Sequence, residues 1–273
     1  MSPFEPSAEN AVEIRGLSVT YRGSGKSVRA VKDCSLRIRR GEIIGLVGES
    51  GSGKSSALMA IPRLLPAGTL VTGQIICDGT DIANLSEEEL NKWRWRRIAL
   101  VPQGAMNSFT PHLSIERHIT EVLTCHMGMS RREGRERAAD LALTAGLETS
   151  ILTRYPHELS GGQKQRAALA AAIACDPDFL LADEPTTALD VITQSEVLET
   201  ITGLARRRGM GLLLVTHDLP LAAGVCDRLA VMKDGLIVEK GLSRQIVTEP
   251  AHDYTKKLIE AIRAMEKPPE VLP

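Results

Sequence analysis

Gly48-Glu49-Ser50-Gly51-Ser52-Gly53-Lys54-Ser55 stands between a continuous apolar run, Ile43 to Val47, and a helical stretch, Lys54 to Leu65. A short unbroken apolar run reads as a parallel strand buried on both faces. Strand, loop and helix together are the context that the pattern GxxxxGK[ST] requires. Glycines let the backbone curl so that its N–H groups face a phosphate, and the helix N-terminus adds positive potential. Lys54 supplies a point charge for β- and γ-phosphates, and Ser55 offers a hydroxyl to Mg²⁺. The flanking elements disfavour an ordinary Gly/Ser loop. Alone, the loop says only nucleotide phosphates, a property that many kinases, GTPases and ATPases share.

Two further segments narrow this. Phe179-Leu180-Leu181-Ala182-Asp183-Glu184 is an apolar strand ending in a carboxylate that can hold Mg²⁺ beside the phosphates. Glu184, next in the chain, can polarise an attacking water. Leu159-Ser160-Gly161-Gly162-Gln163 opens a helix with small residues, a second potential phosphate site, and Ser160 equally reads as an ordinary N-cap.

Outward from these motifs, strands alternate with helices, which implies an α/β protein with a mostly parallel sheet. Residues 11–47 are strand-rich, and Gln74 to Cys77 is a strand closed by the Asp78-Gly79 turn. Ser86 and Glu89 have capping-box spacing and open a helix to about Arg97, ahead of strand Ile98 to Val101. Ser114 to Ala145 reads as helical, with Gly146 as its stop, and Gly162 to Ala174 as another helix. Then come helix Val191 to Arg208, strand Leu212 to Thr216, the hairpin Arg228 to Met232 and Leu236 to Glu239, and a last helix, Tyr254 to Met265, before the tail KPPEVLP. The helical block near 104–175 interrupts the alternation and forms a lobe of its own.

Composition excludes other classes. The 273 residues are 43% apolar and 25% charged, as in a folded globular chain rather than a disordered one. Lys plus Arg is 33 against 34 for Asp plus Glu, a net charge of −1 that gives no global pull toward nucleic acid or an anionic membrane. The most apolar stretch, Ala167 to Cys175, falls far short of the roughly 20 residues of a bilayer span. The start MSPFEPSAEN lacks the apolar core of a secretory signal. Five separated cysteines without a CxxC pair suit a reducing compartment, so the expected location is cytosolic. Lys92 to Arg97 mixes Trp with basic residues and reads as packing or subunit contact rather than nucleic-acid binding. The Arg131–Arg137 and Arg206–Arg208 runs read as solvated helix faces.

The set GESGSGKS, LSGGQ, LLADEP, TALD and VTHD resembles the ATP-binding cassette (ABC) ATPase family, in that family's order, from about residue 11 to 265. The resemblance implies an α/β nucleotide-binding domain at 11–245 with a mostly parallel core sheet, an antiparallel β subdomain and an inserted α-helical subdomain at about 104–175. It leaves residues 246–273 as a C-terminal helical extension and Pro-rich tail. It implies two cassettes sandwiching two ATP molecules head to tail, with Mg²⁺. Tyr21, Gly48, Glu49, Ser50, Gly51, Ser52, Gly53, Lys54, Ser55 and Ser56 would bind nucleotide, Tyr21 by stacking on adenine, while Ser55, Gln103 and Asp183 would hold the metal. Glu184 would be the general base or water-polarising residue, His217 would contact the γ-phosphate, and Gln103 would sense it. Leu159, Ser160, Gly161, Gly162 and Gln163 would face the partner's ATP, and Asp190 would cross the interface.

Pro102 to Pro111 and Glu249 to Leu258 further resemble the peptide/nickel/opine importer branch. That branch implies separate permease subunits, a second cassette (paralogue or self) and, indirectly, an extracytoplasmic solute-binding protein, with no nucleic-acid partner. The chain would lie peripherally on the cytoplasmic face of the inner membrane, docked near Gln103 and Tyr155 to Glu158. Longer members carry a cysteine cluster in an extended tail; here no cysteine follows Cys226, so no iron–sulfur site is expected. The competing readings are a soluble ABC ATPase acting on DNA or ribosomes, and an export ATPase. Ser160 follows Lys54 by only 106 residues without sustained heptads, which disfavours the coiled-coil insertion of the soluble class.

Overall fold

The phosphate loop stands on a six-stranded sheet. In the computed structural model, which describes residues 11–23, 26–104 and 108–266, this sheet runs β10 (Leu236–Leu242), β9 (Arg228–Lys233), β3 (Ile43–Val47), β8 (Gly211–Thr216), β7 (Phe179–Asp183), β6 (Ile98–Val101). Its pairings are parallel apart from the β9–β10 hairpin. Successive strand residues point to opposite faces, and the unbroken apolar runs feed two cores. Ile43, Val47, Leu212, Leu214, Leu180 and Ala182 enter one; Ile44, Leu46, Leu213, Val215, Phe179 and Leu181 enter the other.

The second core is closed by an antiparallel sheet of order β2 (Ser27–Arg39), β1 (Ala11–Arg22), β4 (Leu70–Cys77), β5 (Thr80–Asp81), with α1 (Lys54–Ala60) between the sheets. The first is closed by the helices α3 (Ile115–Met127), α4 (Arg131–Thr144), α5 (Gly161–Ala172) and α6 (Val191–Arg208), whose buried Ile119, Leu123, Leu141, Leu169 and Ile201 share one cluster. This is the cassette architecture that the resemblance implied.

Several elements differ from the sequence reading. α1 stops at Ala60, because Pro62 cannot donate the next helical hydrogen bond. α2 covers only Glu87–Asn91; Trp95, at φ 67°, turns the chain into β6. The 114–145 block is two helices. Gly128 ends α3 in a left-handed conformation, and Ser130 with Glu133 forms a capping box that opens α4. β4 begins at Leu70 and β10 runs to Leu242. Two short helices, α7 (Leu219–Val225) and α8 (Ser243–Thr248), were not expected; α9 (Asp253–Glu266) was.

The arginine runs are not merely solvated. Arg137 and Arg208 both pair with Asp176, Arg135 with Glu116 and Arg206 with Asp227. Arg97 pairs with Asp78 and Asp178 while Trp93 packs on the second core. Residues 1–10, Ala105, Met106 and Asn107 of the 102–111 stretch, and the tail KPPEVLP lie outside the described residues.

Candidate active site

Strand order decides which side chains meet. Four parallel neighbours, β3, β8, β7 and β6, each end on the same edge of the sheet. Beyond β3 lies the phosphate loop, beyond β8 His217, at the end of β7 Asp183 with Glu184 next, and two residues past β6 Gln103. Motifs scattered over 170 residues of sequence thus converge at the carboxyl edge, where open α/β sheets bind ligands. A cleft of about 420 Å³ there is lined by Gly48, Glu49, Ser50, Gln103, Glu184, His217 and Leu258.

The loop conformation needs its glycines. Gly53 has φ 103°, and a Cβ on it would lie 2.2 Å from the Ala30 carbonyl oxygen; one on Gly48 would lie 2.1 Å from that of Met232. The β9–β10 turn braces the loop, Gly235 N–H donating to the Ser52 carbonyl at 3.0 Å. No side chain caps α1, so its first-turn N–H groups remain for a ligand. The Ser52 hydroxyl is buried without a hydrogen-bond partner. Lys54 is 4% exposed and folds back to donate to the carbonyls of Gly48 and Glu49, both at 2.8 Å. Burial lowers its pKa, against the opposing charges of Glu184 and Asp183.

Ser55 Oγ donates to Asp183 Oδ1 at 3.0 Å. Burial raises the Asp183 pKa, and the Ser55 hydroxyl works against that rise. Hydroxyl and carboxylate are the hard oxygen donors that Mg²⁺ takes alongside nucleotide phosphates. No group of three His, Cys, Asp or Glu that could hold a metal ion lies among the described residues. The loop's uncapped donors, its orphaned Ser52 hydroxyl and this oxygen pair fit a magnesium nucleotide.

Glu184 is the hub of the cleft. Its Oε2 accepts from Gln103 Nε2 at 3.1 Å and from Thr187 Oγ1 at 3.0 Å, and its Oε1 lies 3.3 Å from His217 Nδ1. Its φ of 44° places it in the left-handed region, a strain of about 1–3 kcal/mol that the Glu184 N–H to Val215 carbonyl bond helps to hold.

Other expected residues lie elsewhere. Tyr21 is half-buried with its hydroxyl donating to Ser56 Oγ at 2.9 Å, which ties it to α1. None of Leu159 to Gln163 lines the cleft. Ser160 caps α5, accepting from Gln163 N–H at 3.3 Å while Gln163 Oε1 accepts the Ser160 N–H at 3.0 Å. Asp190 caps α6 through Thr193, whose backbone and hydroxyl hold its carboxyl below the usual range. Next to it, Val191 and Ile192 are 81% and 73% exposed. The turn Tyr155 to Glu158 lines neither the cleft nor the apolar groove of about 450 Å³ beside Pro102, walled by Trp95, Leu100, Phe109 and Val122. Sequence reasoning missed Thr187 and Leu258; the four-residue spacing of Tyr254 and Leu258 marks one helix face but not its destination.

A phosphate-cradling loop, an acidic strand end and a glutamate–histidine pair on one sheet edge define a P-loop nucleotide hydrolase. The ABC transporter family matches residues 31–187, and the chain belongs to it. It is similar to the probable D,D-dipeptide transport ATP-binding protein DdpD of Escherichia coli (strain K12), at 39% identity over 96% of this chain and 81% of that one. It is also similar to the oligopeptide transport ATP-binding protein OppD of the same strain, at 36% identity over 97% and 79%. Among solved structures, a dimeric post-hydrolysis ATP-binding cassette bound to ADP and Pi superimposes with a TM-score of 0.76 at 32% identity, covering 85% of this chain and 99% of that one. The chain is therefore an ABC-type ATPase that uses ATP with Mg²⁺. Among the described residues no helix is long and apolar enough to cross a membrane.

Proposed function

We propose that this chain is the ATP-hydrolysing subunit of an ABC importer for peptides, acting at the cytoplasmic face of the inner membrane. The observation that carries the reading is the convergence of Gln103, Thr187 and His217 on Glu184 beside the phosphate loop. Both named relatives are transport ATP-binding proteins for peptides, which favours import over action on DNA or ribosomes, and peptide over nickel.

In this mechanism Lys54 exchanges the carbonyls of Gly48 and Glu49 for the β- and γ-phosphates of ATP. Ser55 and Asp183, with Gln103, would hold Mg²⁺, which would neutralise phosphate charge. Glu184 orients the attacking water and takes its proton. His217 offers its ring to the charge developing on the γ-phosphate. Tyr21 gives up its tie to Ser56 to stack on the base.

Ser160 and its neighbours lie outside their own chain's cleft, and we assign them to the ATP of a second cassette, paralogue or self. The exposed Val191 and Ile192 beside Asp190 supply apolar area for that interface. The groove at Trp95 and Phe109, beside Pro102, is the proposed seat for a permease segment. Two permeases and, indirectly, an extracytoplasmic solute-binding protein complete the assembly. ATP shifts the cassette pair to its closed state, because it binds that state more tightly.

The test is purification of tagged chain from detergent-solubilised membranes with mass spectrometry of its partners. Two permeases and a cassette partner are expected. Ribosomal or DNA-repair proteins, with the chain absent from membranes, would overturn the importer reading and leave the ATPase standing.

A further inference from the structure

Helix α9 lies beyond the stretch that matches the family, yet its first turns are built into the nucleotide cleft. Glu239 on β10 accepts the N–H groups of Ala251 at 2.8 Å and His252 at 3.0 Å, and His252 Nδ1 accepts that of Tyr254 at 3.1 Å. These bonds set Tyr254, 8% exposed, on the β9–β10 turn, with Lys233 Nζ 4.7 Å from its ring centroid. The same turn holds the phosphate loop through Gly235 and Ser52. The Tyr254 hydroxyl is buried and lacks a hydrogen-bond partner. Burial raises its pKa, the Glu49 backbone opposes that rise and the Glu49 carboxylate adds to it. One turn on, Leu258 lines the cleft with Glu49, Glu184 and His217.

We propose that α9 is a positioning element of the nucleotide site, in which Tyr254 steadies the outer limb of the phosphate loop at Glu49 and Leu258 walls the cleft beside Glu184 and His217. The inference takes the assignment of this loop to ATP as given. A helix that merely covered the core would satisfy or omit a buried hydroxyl, since an unpaired one opposes folding. Kept beside a loop that rearranges when Lys54 leaves its carbonyls, the hydroxyl gains its partner in the nucleotide-bound state.

The test uses the full chain with Tyr254→Phe and Leu258→Ala. Equilibrium binding of a fluorescent ATP analogue is read beside the nucleotide-free melting temperature, kcat and KM. Tyr254→Phe is expected to weaken binding roughly 3–10-fold, the weight of one hydrogen bond, with the nucleotide-free melting temperature held or raised and KM changed more than kcat. Leu258→Ala is expected to weaken binding as well. Wild-type affinity in both variants overturns the proposal, as does a loss of affinity matched by a loss of nucleotide-free stability. Lys54→Ala is the control: undiminished binding there would instead overturn the assignment of the loop.

Discussion

His217 Nδ1 lies 3.3 Å from Glu184 Oε1, although 33 residues separate them in the chain. The contact follows from β7 and β8 being parallel neighbours, with Asp183 opposite Val215 in the register. Glu184 is thereby held on three sides, by His217, Gln103 and Thr187. Glu184→Gln keeps shape and most hydrogen bonding but cannot take a proton. We expect it to lower kcat by ~10²-fold or more while fluorescent ATP binding stays within about twofold. A variant that hydrolyses ATP at the wild-type rate would remove Glu184 from the chemistry.

Asp183 carries a stability cost that follows from its surroundings. Burial raises its pKa above the ordinary 3.8, so the folded chain binds this proton more tightly than the unfolded one. The contribution favours folding at low pH and is lost as pH rises through the raised value. Asp183→Asn retains an oxygen for Ser55 and has no charge to bury, and Glu184 remains to hold Lys54 charged. Without nucleotide, the variant is expected to melt above wild type near neutral pH. The gap should narrow as pH falls toward the ordinary carboxylate range. The extra stabilisation that Mg²⁺ gives to ATP-bound wild type should vanish.

Thiol chemistry separates Cys125 from the rest. Cys34, Cys77, Cys175 and Cys226 are buried, and only Cys125 is exposed. Burial pushes Cys34 and Cys175 up to about 11 and Cys77 and Cys226 up to about 12, so they hold almost no thiolate at pH about 8. A thiol reagent should titrate one cysteine in the native chain and five in denaturant. Rapid native reaction of several would contradict the packing of both cores.

What the sequence displayed was local chemistry on strand ends. Lys54, Asp183 and Glu184 were legible because an apolar run of the right length delivers each of them. His217 and Gln103 needed the family's motif order, since a lone histidine or glutamine after a strand is unremarkable. The break in the 114–145 block was written as Ser130-x-x-Glu133, but a continuous helical period masked it. Trp95 at φ 67° and the arrival of Leu258 at the cleft were not legible. Both depend on packing between segments far apart in the chain, where local propensity is overruled.

Gly162, in the Leu159 to Gln163 segment, has a structural reason to be glycine, independent of any phosphate. A Cβ there would lie 2.6 Å from Thr193 Cγ2 in the first turn of α6, a distance that real contacts do not tolerate. Thr193 also holds Asp190 through its hydroxyl at 2.7 Å, so an added methyl at 162 pushes against the residue that orients the Asp190 loop. Gly162→Ala is expected to cost about 1–3 kcal/mol through overpacking, seen as a melting temperature lower by roughly 2–4 °C for each kcal/mol. Thr193→Ser removes the offending methyl and keeps the hydroxyl for Asp190. The double variant should therefore recover most of the loss, while Thr193→Ser alone changes little. The sign of that coupling is the measurement that matters. If the double variant is no more stable than Gly162→Ala, the clash is not with Thr193, and α5 must already yield along its own axis.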